Sequence, residues 1–195
     1  MFRTLNIHIK GTTPLIMHNG QLADPLNDYS KGLKELTDKK KKTDSDHEAI
    51  AAAEWIGSLY LDEEERPVIP SENIEAGMVK AAGKLKMAQT VKAAVMSDSD
   101  WVLIHDGPKS LEELKGNRRF RDSRGVRNPG SGSRIIRTRP IFRVWELKFD
   151  LMFEEEDINQ GDVIRILEVL GRNIGLGDYR PKFGRFRVIE TKLVA

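Results

Sequence analysis

Residues 2–10 alternate strictly, with Leu5, Ile7 and Ile9 on one side and Thr4, Asn6, His8 and Lys10 on the other. A period of two marks a strand with one buried face. A turn-rich stretch, "GTTPLIMHNG", follows, in which Pro14 and two flanking glycines bracket a short apolar run. Residues 21–46 are polar, contain "DKKKKTDSD" and sustain no period, so they read as a solvated insertion. From Asp46 the pattern turns helical: a capping Asp, a run of alanines with Ile50, Trp55 and Ile56, and a terminal Gly57. "SLYLDEEERPVIP" then reads as a hairpin with an acidic turn.

A second helix is predicted over 72–85, capped by Ser71, with Ile74, Met78, Ala81, Ala82 and Leu85 on one face. Gly77 and Gly83 weaken it in isolation and imply close packing against a neighbour. "WVLIHDGP" is a short buried strand ending in a turn. Residues 117–133, rich in Gly, Ser, Asn and Arg, read as a mobile loop within a basic region over 115–134. A long extended stretch over 134–153 follows. Trp145, Leu147, Phe149, Leu151 and Phe153 alternate there with Glu146, Lys148 and Asp150, and Pro140 marks a break, bulge or edge. "INQGDVIRILEVLG" supplies a last amphipathic helix with Gly171 as its C-cap, and "RFRVIETKL" the final strand.

Helices and strands do not alternate one for one, which argues against a doubly wound parallel sheet. The order predicts an α+β chain of one domain over 1–195, an antiparallel sheet with helices on one face. The last strand–helix–strand is half of a ferredoxin-like βαββαβ core with insertions, the N-terminal strand contributing to the other half.

Composition narrows the function classes. Cysteine is absent, which excludes disulfides and thiolate zinc sites and suits a reducing cytoplasm. No apolar run approaches the roughly 20 residues of a membrane span, and the N-terminus lacks an apolar signal-peptide core. The net charge of +2 conceals a strong asymmetry. Residues 115–143 carry ten Lys or Arg (at 115, 118, 119, 121, 124, 127, 134, 137, 139 and 143) against the single acid Asp122. A polyanion meets one strongly basic region there.

Catalytic signatures are weak. The four histidines are dispersed and lack metal-binding spacing; His18, in a turn after a strand, is the one placed to meet a ligand. The carboxylates at 154–157 and 162 read as helix-capping groups rather than a metal site. Neither a P-loop nor a GxSxG elbow is present, and "GLGDYRPKFG" opens a strand where a dinucleotide fingerprint would open a helix, so no cofactor or metal is implied.

The basic region carries the better lead. Arg118, Arg119, Arg121, Arg124 and Arg127 on the loop, and Arg134, Arg137 and Arg139 on the strand, offer guanidinium forks to phosphates. Phe120 and Phe142 are interleaved with them, as where single-stranded bases stack over a basic groove. "IGLGDYRPKFGRF" adds a second anchor. Gly175, Gly177 and Gly184 permit positive φ and a close backbone approach, Arg180, Lys182 and Arg185 add charge, and Phe186 packs inward.

A glycine loop ending in "RPKFGRF", set between a helix and the last strand, resembles the signature loop of the RAMP superfamily, the ferredoxin-like RNA-binding subunits of CRISPR effector complexes. "VIPSENIEAGMVKAA" is similar to the "IPG-S-S-(L/I)-K-G" segment of the backbone-forming branch, matched by Ile69, Pro70, Ser71, Ile74 and Gly77. "GTTPLIM" resembles the end of that branch's first strand. Glu75 stands where that branch has Lys, and Glu72–Asn73 where it has small residues. Asp24 and Asp28 fall in the loop that holds a catalytic Asp in target-cleaving members, without a flanking pattern that selects either. The resemblance implies single-stranded RNA held along a basic face, self-association into head-to-tail filaments, and, from the chain's length, a compact stand-alone relative of the phage and prophage type.

The expectation is a non-catalytic protein that binds single-stranded RNA in preference to DNA, self-associates and has no membrane partner. Two alternatives stand beside it: an RNA endonuclease of the repeat-processing type using His18, and a protein-interaction module that mimics an effector subunit.

Overall fold

A computed structural model of the chain describes residues 1–127, 130 and 132–194. In chain order the elements are β1 (Phe2–Gly11), β2 (Leu15–Ile16), α1 (Asp28–Thr37), α2 (Asp44–Gly57), β3 (Val68–Ile69), α3 (Ser71–Gly83), α4 (Ala88–Ala94), β4 (Val95–Met96) and β5 (Trp101–His105). They continue with α5 (Leu111–Gly116), β6 (Arg121–Arg127), β7 (Arg134–Phe142), β8 (Trp145–Glu154), α6 (Gln160–Val169) and β9 (Phe186–Leu193). This is the predicted α+β class with antiparallel strands. The sequence reads as one domain; the folded chain divides into two compact units. The first is Met1–Leu15, Leu61–Asp106 and Phe142–Ala195, and the second is Ile16–Tyr60 and Gly107–Ile141.

The first unit holds a sheet in the order β3-β5-β8-β1-β9, with β4 also on β8. β1 and β8 form its centre, running antiparallel from Phe2↔Glu154 to Lys10↔Glu146. Their alternation sets both faces. Leu5, Ile7 and Ile9 face the core with Leu147, Phe149, Leu151 and Phe153, all at most 2% exposed. Asn6, His8, Lys10, Glu146, Lys148 and Asp150 form the opposite, polar face. α3 and α6 bury Ile74, Met78, Ala81 and Ala82, and Val163, Ile166 and Leu167, as the apolar cover. Gly77 lets them approach: a Cβ there would sit 2.9 Å from Leu170 Cδ1. Gly83 has open space instead, so the close packing predicted for both glycines holds for Gly77 alone.

The second unit pairs β2, β7 and β6 in that order, beside α1, α2 and α5. Trp55 is fully buried and donates Nε1–H to the Phe120 carbonyl at 2.8 Å.

Several local expectations are corrected. Residues 21–46, read as a periodless insertion, contain α1, in which no residue is fully buried. Its start is set by a local cap, the Asn27 side chain accepting from the Tyr29 N–H, and Tyr29, Leu33 and Leu36 give it a short apolar stripe at helical spacing that the surrounding polar residues outweigh. Thr43, not Asp46, caps α2; Asp46 returns the bond as the third residue of a capping box. Ser71 does not cap α3: Pro70 precedes it, and the Ser71 N–H donates to Asp100 Oδ1 at 3.1 Å. Asn159 caps α6 in place of the neighbouring acids. Gly171 is not its C-cap, because the helix widens into a π-turn over Leu170–Ile174 and ends at Gly175, φ 81°. The stretch 134–153 is two strands in different sheets, broken at Arg143 and Val144. The basic loop is largely strand: β6 pairs with β7 from Arg121↔Pro140 to Arg127↔Arg134. Asn128, Pro129 and Ser131 of that stretch lie outside the described residues.

Candidate nucleic-acid interface

The β6–β7 hairpin sorts its arginines by register. Period two puts Arg121, Arg127 and Arg134 on one face and Arg124, Arg137 and Arg139 on the other. On the second face Arg124 and Arg137 are answered internally. Arg124 Nε donates to Asp122 Oδ2 at 2.6 Å and its NH2 group to Oδ1. Arg137 pairs with Glu54, whose side chain is 5% exposed and whose Oε2 also takes the Thr138 N–H at 2.8 Å. Arg139 is half-buried. Arg121 donates from Nε and NH2 to the Lys115 carbonyl, at 3.0 and 2.6 Å.

Arg118, Arg119, Arg127, Arg134 and Arg143 are the exposed cations of the basic region. Arg118 has an 89% exposed side chain and only a loose approach to Glu48, 3.8 Å. Arg119 lies 5.8 Å from the Phe120 ring centre. Arg127 and Arg134 stand directly opposite each other, and among the described residues no carboxylate pairs with either. Like charges in facing positions repel. A polyanion laid across the hairpin would relieve that repulsion. Phe120 and Phe142, read as stacking partners, are 2% and 0% exposed and serve the core.

In the first unit the glycine loop folds back on itself. Gly175 and Gly184 have φ of 81° and 74°. A Cβ on Gly184 would meet the Leu176 carbonyl oxygen at 1.8 Å, and one on Gly175 the Phe183 oxygen at 2.7 Å. Their bareness therefore serves the loop's own backbone rather than an incoming ligand. Gly177 also has positive φ, 73°. The loop is tied to the segment after β1: Gly184 N–H donates to the Pro14 carbonyl at 2.8 Å, and Arg185 N–H to Thr13 Oγ1 at 2.9 Å. Two motifs distant in sequence, "GTTPLIM" and "RPKFGRF", thus form one structure. Arg185 spends its Nε–H on the Pro181 carbonyl at 2.7 Å. Arg180 and Lys182 are exposed, and Tyr179 stands edge-on to Phe183 with ring centres 6.4 Å apart. Phe186 packs inward, 4% exposed, on Gly171 and edge-on to Trp145.

The hairpin belongs to the second unit and the glycine loop to the first. Glu75, in the position where the resembling segments carry Lys, accepts the Ser97 N–H at 2.8 Å and acts within the fold. His18 is exposed, and its carbonyl accepts from the Tyr60 hydroxyl at 3.2 Å. Among the described residues no three potential metal ligands converge, and no helix is long and apolar enough to cross a membrane.

No protein-family model matches the chain, and no curated protein matches it. Solved structures do. A chain of the type III-B Cmr-beta bound to cognate target RNA, seen by cryo-EM, superposes with a TM-score of 0.56 at 9% identity. This protein shares its fold. The alignment covers 99% of this chain and 61% of that one, so the protein spans less than two thirds of the Cmr-beta chain's length. Cmr6 from Pyrococcus furiosus aligns over 95% of this chain and 98% of its own, at 8% identity and a TM-score of 0.42.

Proposed function

We propose that this protein is a RAMP-type, ferredoxin-like subunit that binds single-stranded RNA without cleaving it, and that it acts as a self-associating, phage-type stand-alone relative of the CRISPR backbone subunits. The observation that carries the proposal is the facing pair Arg127 and Arg134, two exposed guanidinium groups at one register position with no carboxylate partner among the described residues. Such a pair gains from a phosphate that bridges it. Arg118 and Arg119, exposed just before β6, are further phosphate ligands, and Arg180 and Lys182 are the second anchor. The path of the first unit supports the ferredoxin-like assignment. Taking β1, α3, β5, β8, α6 and β9 in sequence and β5-β8-β1-β9 in space describes a βαββαβ unit. RNA is preferred because the Cmr-beta structure of the same fold is bound to cognate target RNA.

Binding of labelled single-stranded RNA and DNA against salt concentration tests it. Each neutralised phosphate contributes about −0.7 to the slope of log affinity on log salt. Replacing both Arg127 and Arg134 with Ala removes the bridged phosphate and should flatten the slope by about 0.7. An unchanged slope removes the hairpin from the interface, and RNA cleavage abolished by His18→Ala would replace the binding role with a catalytic one.

A further inference from the structure

The polar face of the first unit's sheet is not flat. It holds a cleft of about 320 Å³ whose floor is β8, β1 and β9 and whose side wall is Trp101 at the start of β5. Register lays the side chains in rows. Asp150, Asn6 and Lys192 form one; Lys148, His8 and Glu190 form the next. Acid and lysine occupy opposite ends of the two rows, so the cleft has no net charge from these groups. It therefore suits neither a bare anion nor a bare cation. It suits a flat neutral ring with its own donors and acceptors.

The wall is preorganised. Trp101 Nε1–H donates to Ser97 Oγ at 2.8 Å, and Ser97 in turn donates to the Asp150 carbonyl at 3.2 Å and has its N–H held by Glu75. A tethered indole presents a π-face with little entropy left to lose. On the floor, Asn6 Nδ2–H donates to Asp150 Oδ1. Asn6 Oδ1 and Asp150 Oδ2 take no hydrogen bond among the described residues. They are two neighbouring acceptors, the complement of a ring edge carrying two neighbouring N–H donors. Guanine has such an edge; adenine, cytosine and uracil do not.

We propose that this cleft is a guanine-nucleotide site, with the base stacked on Trp101, its N–H edge on Asp150 and Asn6, and its phosphate within reach of Lys148 and Lys192. The site lies on the first unit's sheet, shares no residue with the hairpin or the glycine loop, and stands without the RNA-binding proposal.

Tryptophan fluorescence reports it directly. Trp55 and Trp145 are 0% and 1% exposed, which leaves Trp101 as the indole a ligand can reach. Titrating the full chain with GMP should give saturable quenching, with AMP, CMP and UMP at least about tenfold weaker, a difference of about 1.4 kcal/mol. Asp150→Asn should erase the preference for GMP, and the surface change Lys192→Ala should weaken every nucleotide alike. Because binding of labelled RNA through the hairpin is read separately by its salt slope, the two proposals fail independently. Absence of quenching, equal quenching by all four nucleotides, an undiminished preference in Asp150→Asn, or quenching by inorganic phosphate alone would each overturn the assignment.

Discussion

Arg137 separates a structural cation from a binding one. Its sequence context, between Arg134 and Arg139, makes it a phosphate ligand; its geometry makes it the partner of Glu54. Glu54 is 4% exposed and holds the Thr138 N–H, itself in a residue 1% exposed. Replacing Arg137 with Ala leaves a carboxylate in the interior without its cation. Loss of one member of a buried pair costs about 3–5 kcal/mol. The Arg137 side chain is 40% exposed, so water softens the loss, and about 2 kcal/mol is expected once solvent screening is allowed for. Urea unfolding followed by the emission of Trp55, next to Glu54 and in the same unit, should show a lower midpoint at unchanged slope. Glu54→Gln should cost less, because an amide still accepts from Thr138, and Arg137→Ala made on Glu54→Gln should cost under about 1 kcal/mol more. The salt slope for RNA should stay at the wild-type value. A stable Arg137→Ala protein with a flattened slope would refute the reasoning and return Arg137 to the interface.

Gly184→Ala forces a Cβ to within 1.8 Å of the Leu176 oxygen at a φ of 74°, and should destabilise the first unit by more than the ~1–2 kcal/mol of left-handed strain alone, visible in thermal unfolding. Gly83→Ala, with open space around it at the end of α3, should instead stabilise by about 0.5 kcal/mol. Glu146 is held below the usual carboxylate range by hydrogen bonds from Lys10 and His8, at 2.8 and 2.7 Å. A depressed carboxylate stabilises fully above its unfolded value and loses that contribution as the pH falls through the folded one. Stability should therefore decline on acidification below about pH 4.5, and Glu146→Gln should make that decline shallower. Half-buried His105 is pushed down by burial against the pull of Asp106. Its neutral form is the folded one, so stability should drop as the pH falls below about 6.5, and His105→Gln should remove that step.

The sequence determined whatever a local period or a local charge count can carry. The alternation of β1 and β8, the apolar stripes of α3 and α6 and the α+β class were all legible, because each rests on residues two, three or four positions apart. The concentration of arginine between 118 and 139 was legible for the same reason, and so was the inward role of Phe186. Tertiary structure decided which charges are available. Arg121, Arg124 and Arg137 look the same in sequence as Arg127 and Arg134, yet the first three meet a carbonyl, Asp122 and Glu54, the last supplied from 83 positions away. It also decided why the loop needs glycine: Gly184 yields to the Leu176 backbone and Gly175 to that of Phe183 and Gly184, and the loop is tied to Pro14 and Thr13, distant in sequence at the other end of the chain. α1 was hidden because its apolar stripe is only three residues, Tyr29, Leu33 and Leu36, set in a stretch dominated by lysines and acids. The cleft beside Trp101 could not be read at all, since its rows form only when β8, β1 and β9 take their register. A side chain's chemistry is written in the chain; whether that chemistry is spent inside the fold or left for a partner depends on what folding brings within three ångströms of it.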